Sequence, residues 1–131
     1  MLKKTITYTD YNGVERTEDF YFNLTEAECV ELEMGTTGGL SETMKKMVQT
    51  QDMPSIIKMF KNIVLNAYGE KSSDGRRFIK SEEISVAFSQ TEAYSKLFME
   101  LTRNGEQYIS DFINGIIPKP ANKPDVKLVT D

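Results

Sequence analysis

The chain has 131 residues, 39% of them hydrophobic and 27% charged, with a formal net charge of -4. That length suits one domain around one core, the composition is neither that of a disordered nor of a membrane-embedded chain, and the acidic balance argues against a nucleic-acid partner, whose phosphates call for a basic surface. Histidine is absent and cysteine occurs once, which removes the usual general base near neutral pH, the commonest transition-metal ligand, every Ser-His or Cys-His pairing and any intramolecular disulfide. No apolar run is long enough to span a bilayer, and the start Met-Leu-Lys-Lys leads into alternating Thr, Ile and Tyr instead of an apolar signal core. On those grounds the expected location is a cytoplasm, with no membrane partner and no cofactor.

Leu2 to Thr9 alternates, with Leu2, Ile6 and Tyr8 available to one face and Lys3, Thr5 and Thr7 to the other, so a half-buried strand is predicted. Asn12-Gly13 is a tight-turn pair, and Val14 to Phe22 gives a second run ending in aromatics; together they predict a β-hairpin over residues 1–22. A lone hairpin is marginal in water and must lean on helices or on another copy of the chain. Its outer edge offers strand addition to a partner, although Thr and Lys side chains are also how exposed edges are kept from pairing.

Thr25 with Glu28 three residues later is a capping box and predicts a short acidic helix running to Met34. Its Glu26, Glu28, Glu31 and Glu33 wind around the axis and are read as a solvated face, not a cation site. Cys29, beside Val30, is read as a small buried or half-buried apolar residue and not as a nucleophile. Gly35 to Ser41 then breaks the helix; with no Lys before Ser41 and no preceding buried strand it is a hinge rather than a phosphate loop. In the next helical pattern, Ser41 to Thr50, Met44, Met47 and Val48 make a small face.

Asp52 and Pro54 signal the start of the longest amphipathic helix, in which Ile56, Ile57, Phe60, Ile63, Val64 and Ala67 share a face. Gly69 is expected to end it through a left-handed exit. Met44, Met47, Met53 and Met59 gather around the join of these two helices, where methionine serves either as an adaptable binding surface or as filler for an irregular core. Residues 70–81 are expected to be a charged turn. Glu70, Ser72 and Asp74 fall at oxygen-ligand positions of a calcium loop counted on Gly75, but Ser81 stands where the bidentate glutamate belongs, and Arg76 and Arg77 bring positive charge, so calcium is rejected. Lys71, Arg76, Arg77 and Lys80 are then available to phosphate or an acidic partner, or are solvated beside acidic neighbours.

Ser81 is a cap for a helix over residues 82–90, and Thr91 for the next, where Ala93, Tyr94, Leu97, Phe98 and Leu101 recur on one face until Asn104-Gly105. Residues 106–115 form the last predicted helix, with Tyr108, Ile109, Phe112 and Ile113 inward. Pro118, Pro120 and Pro124 interrupt a polar stretch with too little apolar surface to fold alone. The expected fold is therefore α+β, mainly α: a β-hairpin over 1–22, then a compact bundle of five to six short helices over 24–117 in one globular domain, with 118–131 a flexible tail. No catalytic, cofactor or metal set stands out, and the candidate protein-binding residues are Met44, Met47, Met53, Met59, Arg76 and Arg77.

Leu24-Thr-Glu-Ala-Glu followed by Glu31-Leu-Glu, then Phe60-Lys, Phe88, Tyr94 and Leu97-Phe-Met-Glu-Leu101 resemble the tail assembly chaperones of long-tailed bacteriophages. The most specific likeness lies in Ala67-Tyr-Gly-Glu-Lys-Ser-Ser-Asp-Gly-Arg-Arg-Phe78 and in Phe112-Ile-Asn-Gly-Ile-Ile-Pro118, and the similarity covers most of residues 18–118. Neither stretch is a catalytic motif, so the resemblance carries no active-site residue. What it implies is a non-enzymatic protein of the host cell cytoplasm, absent from the mature virion, that binds the tape measure protein, keeps it soluble and promotes tail tube assembly around it. It further implies the major tail tube protein, a longer frameshifted form of the chain and other copies of itself as partners, this chain being the short form. The alternative is a structural tail component or tail-tube adaptor retained in the virion.

Overall fold

The alternating N-terminal runs form two strands, β1 (Leu2–Thr9) and β2 (Glu15–Phe22), paired antiparallel from Leu2↔Phe22 to Thr9↔Glu15. Ile6, Tyr8, Phe20 and Phe22 face the core, while the other face is a polar ladder in which Thr5 Oγ1 donates to Asp19 at 2.6 Å and Thr7 pairs with Thr17 at 2.9 Å. The turn between them is governed by Asp10 rather than by a two-residue Asn-Gly loop. The Asp10 carboxylate accepts from the N–H groups of Asn12 and Val14, and Gly13 alone, at φ 80°, closes the turn by donating to the Asp10 carbonyl at 2.9 Å. This computed structural model describes residues 1–35 and 38–118, and only the backbone of Leu40, Ser41, Met44, Val48 and Glu106.

Six helices follow among the described residues: α1 (Glu26–Gly35), α2 (Leu40–Thr50), α3 (Met53–Ala67), α4 (Glu82–Ser89), α5 (Glu92–Arg103) and α6 (Glu106–Ile116). Their starts lie where the sequence puts its caps. Asp52 accepts from the Ser55 N–H at 3.3 Å, Ser81 from Ile84 at 3.1 Å and Thr91 from Tyr94 at 3.1 Å, each filling an otherwise orphaned first-turn donor. The N-terminal hairpin followed by a mainly helical remainder is the expected α+β fold.

One expectation is corrected between α3 and α4. The stretch read as helical throughout from residue 24, with a plain charged turn at 70–81, contains two further strands, β3 (Tyr68–Lys71) and β4 (Phe78–Ile79). They extend the sheet to four strands in the order β1-β2-β3-β4, with Phe22↔Tyr68 and Tyr21↔Gly69 joining β3 to the end of β2. The helix α3 stops because Tyr68 turns to extended backbone, φ -67° and ψ 139°, and enters the sheet. Gly69 is accordingly not a left-handed exit. Its role is close approach, since a Cβ there would lie 2.7 Å from the Phe78 ring and 2.9 Å from the Ile79 carbonyl oxygen.

Sheet and helices meet at Phe22, which is 0% exposed. Its ring lies 5.7 Å from that of Tyr68, 5.8 Å from Phe88 and 5.4 Å from Phe112, and Tyr68 stacks on Phe88 at 4.1 Å. Directly after it, the Asn23 N–H donates to the Ala67 carbonyl and the Leu24 N–H to the Ile116 carbonyl, both at 2.9 Å. The expected tail falls almost wholly outside the described residues, as do Thr36 and Thr37 of the expected hinge.

Truncating Phe22→Ala is expected to cost about 3–5 kcal/mol, read as a lowered urea midpoint with little change of slope. Gly69→Ala is expected to cost about 1–3 kcal/mol by crowding Phe78 and Ile79, and a variant as stable as the parent would contradict the close approach.

Candidate partner-binding groove

The helix α1 forms because of its cap more than its packing. The Thr25 N–H donates to Glu28 Oε1 at 2.8 Å and the Glu28 N–H returns to Thr25 Oγ1 at 3.1 Å, yet none of its ten residues is fully buried. Cys29 and Leu32 are half-buried against the core, whereas Val30 and Met34 are 55% and 81% exposed. What fastens the helix is Lys80. Its ammonium donates to both Glu28 carboxylate oxygens at 2.9 and 2.8 Å and to the Asn23 carbonyl at 2.7 Å, tying the first turn of α1 to the exit of β2. Burial works against the Glu28 charge, but the bonds from Lys80 and Thr25 outweigh it and hold its pKa below the ordinary glutamate range.

Between α1, α3 and α4 lies an open groove of about 510 Å³, with Leu24, Leu32 of α1 and Leu65 of α3 as its apolar lining and Glu31, Glu82 and Lys80 among its charged residues. Leu32 and Asn66 also line a second hollow of about 330 Å³ between α2 and α3, so the two adjoin. The second is lined by Met47, Met59 and Ile63, with Lys58 among its polar residues. An apolar lining beside charged residues is the pattern of a protein-binding surface.

Of the six candidate residues, the structure brings Met47 and Met59 together in this groove. Met59 is half-buried and packed against the core, and it also lines the hollow. Met53 is 44% exposed and lines neither part, and the Met44 side chain lies outside the described residues. Arg76 and Arg77 sit exposed on the β3–β4 turn, apart from the groove lining, and make no ion pair among the described residues. That turn satisfies itself: Asp74 accepts from Ser72 Oγ at 2.7 Å and from the Arg76 N–H at 3.0 Å, bonds that hold its carboxyl below the usual range. Lys80, counted among the basic residues open to a partner, is instead spent on Glu28.

The family model for phage tail assembly chaperones matches residues 1–125. The chain belongs to that family. No curated protein and no solved structure matches. For a phage tail assembly chaperone the partners are tail proteins in general, and two adjoining open hollows of mixed polar and apolar lining suit a protein segment better than a small molecule. Cys29 in this chaperone has its thiol pKa pushed up, by burial first and by the nearby Glu28 charge second, in keeping with a half-buried apolar role. No helix among the described residues is long and apolar enough to cross a membrane.

The Leu24, Leu32 and Leu65 lining was not among the candidates, nor was the Lys80–Glu28 bond. The capping box makes Glu28 visible in sequence, but its partner stands 52 residues away and carries no local signal.

Because the folded Glu28 pKa is lowered, its hold on α1 is complete above the unfolded value and is lost as pH falls through the folded one. The amide signals of Cys29 and Val30 are therefore expected to lose their helical NMR shifts on acidification below the carboxylate range. Lys80→Met should move that loss to higher pH, and identical profiles for parent and variant would contradict the assignment.

Proposed function

We propose that this chaperone binds the tape measure protein, keeps that long chain soluble and promotes assembly of the tail tube around it, acting through the groove beside α1. The observation that carries the reading is a groove with leucines in its lining, one wall of which is a helix with no residue completely buried. No residue of α1 is fully buried, so shifting it costs little apolar burial, and a client's apolar stripe seated in the groove gains area against the half-buried Leu32 of α1 and Leu65 of α3. Met47 and Met59 adapt to different side chains, which suits repeated contacts along one long client.

The absence of histidine and family membership both favour action by contact rather than bond-making. Within the same proposal, the major tail tube protein, a longer frameshifted form and other copies of the chain are further partners. The exposed Arg76 and Arg77 are available to an acidic one. The protein acts in the host cytoplasm and leaves before the virion matures.

Co-expression with the tape measure protein is expected to raise the soluble client severalfold. Met47→Glu, which sets a charge in the groove, should reduce complex recovery by about tenfold, or ~1.4 kcal/mol, while Met53→Glu outside it should leave recovery unchanged. A client no more soluble with the chaperone than without it refutes the function. Full activity of Met47→Glu refutes the groove. Mass spectrometry of purified virions should find no copy of this chain, and a stoichiometric amount would make it a structural component.

A further inference from the structure

A second surface lies on the sheet, at the free edge of β1. The strand order leaves β1 unpaired on one side, and the Asp10 N–H bonds the Val14 carbonyl at 2.8 Å, so in this register the even-numbered residues carry the ladder to β2. The backbone groups of Lys3, Thr5 and Thr7 therefore point outward. A side chain confirms the direction: Lys96 of α5 donates its ammonium to the Thr7 carbonyl at 2.8 Å. Apart from that bond, these outward groups have no partner among the described residues.

Alongside the edge runs an open hollow of about 710 Å³ between β1 and α5, lined by Thr5, Thr7, Lys96, Met99 and Arg103. Met99 is 46% exposed. The charge of this hollow is opposite in sign to that of the whole chain. Its carboxylate, Glu100, is already matched by Lys4 at 3.0 Å and by the Tyr108 hydroxyl. Lys96 and Arg103, which line it, have no carboxylate partner among the described residues, in a chain of net charge -4.

We propose that the β1 edge and the hollow over α5 form a strand-addition site for an extended acidic segment of a partner protein, whose backbone pairs with Lys3, Thr5 and Thr7 and whose carboxylates meet Lys96 and Arg103. Docking is an exchange. An N–H of the incoming strand takes the Thr7 carbonyl, and the Lys96 ammonium it displaces takes a carboxylate of the same strand. A basic segment gives Lys96 nothing to move to and adds like charge, so the lysine both blocks the edge and selects its occupant.

A second copy of the chain is a poorer occupant. The side chains it would turn toward the hollow, Ile6 and Tyr8, are buried in its own core, and its own Lys96 and Arg103 would come up against these. The site stands on the sheet edge alone and does not depend on the groove beside α1.

The test uses the full chain and a short synthetic peptide alternating glutamate with valine and threonine, followed by fluorescence anisotropy and by amide exchange at Thr5 and Thr7. Binding is expected to slow exchange at both amides, Lys96→Glu to weaken it about tenfold or more, and the peptide with lysine in place of glutamate to fail. Thr5→Pro removes the outward N–H, together with the Thr5 hydroxyl bond to Asp19 on the opposite face, and should abolish binding, whereas Thr5→Val, which loses only the hydroxyl, should bind as the parent does. If the proline variant fails to fold, a peptide N-methylated on alternate amides tests the same pairing on the unaltered protein and should not bind. The proposal is overturned by absence of binding, by equal binding of the lysine peptide, or by binding with unchanged exchange at Thr5 and Thr7. Protection of those amides that rises with chain concentration in the absence of peptide assigns the edge to a second copy and overturns it as well.

Discussion

Everything in the fold is arranged around the place where β2 leaves the sheet. Phe22 is wholly buried among rings from β3, α4 and α6, and the next two N–H groups bond the carbonyls of Ala67 and Ile116, the last residues of α3 and α6. Those carbonyls belong to helix ends, where no intrahelical donor is available, so one short stretch of backbone satisfies two termini that would otherwise be buried unpaired. Sheet register and helix ends are thereby made mutually dependent. Tyr68 shows the consequence: it is at once the residue after α3, the partner of Phe22 in the sheet and the ring that stacks on Phe88.

Against that fixed centre, α1 stands out as attached by polar bonds. Its link is one lysine held between a carboxylate and a carbonyl, with its own Cys29 and Leu32 half-buried against the core. Bonds of that kind break and re-form at modest cost in a partly solvated setting, whereas the ring cluster around Phe22 does not open without losing several buried aromatics. A rigid block carrying a loosely held helix is a physical arrangement suited to reversible capture of a larger chain. The same block presents the β1 edge, where a lysine occupies a backbone carbonyl.

What the sequence discloses of this architecture is what is decided locally. Alternation in residues 2–9 and the caps at Thr25, Asp52, Ser81 and Thr91 are each set by side chains within a few positions, and each is realised in the structure. β3 and β4 are too short, at four and two residues, to show a period, and they exist because Phe22 and Tyr68 pair across the sheet. Gly69 illustrates the limit well: a glycine after a helix ordinarily signals a left-handed exit, and only the position of the Phe78 ring reveals that it is there for space. The groove is legible in half, because Met47 and Met59 fall on neighbouring helices that a short link brings together. Leu24, Leu32 and Leu65 converge on it from elements whose proximity the sequence does not express.

Placing a photoreactive residue in turn at Leu32, at Met47 and at Val86, and irradiating the chain in complex with the tape measure protein, tests the central claim most directly. Leu32 and Met47 line the groove, while Val86 is exposed on α4 and lines neither part of it. The account predicts crosslinks to the client from Leu32 and Met47 and none from Val86. Crosslinks from Val86 with none from the two groove positions would contradict it.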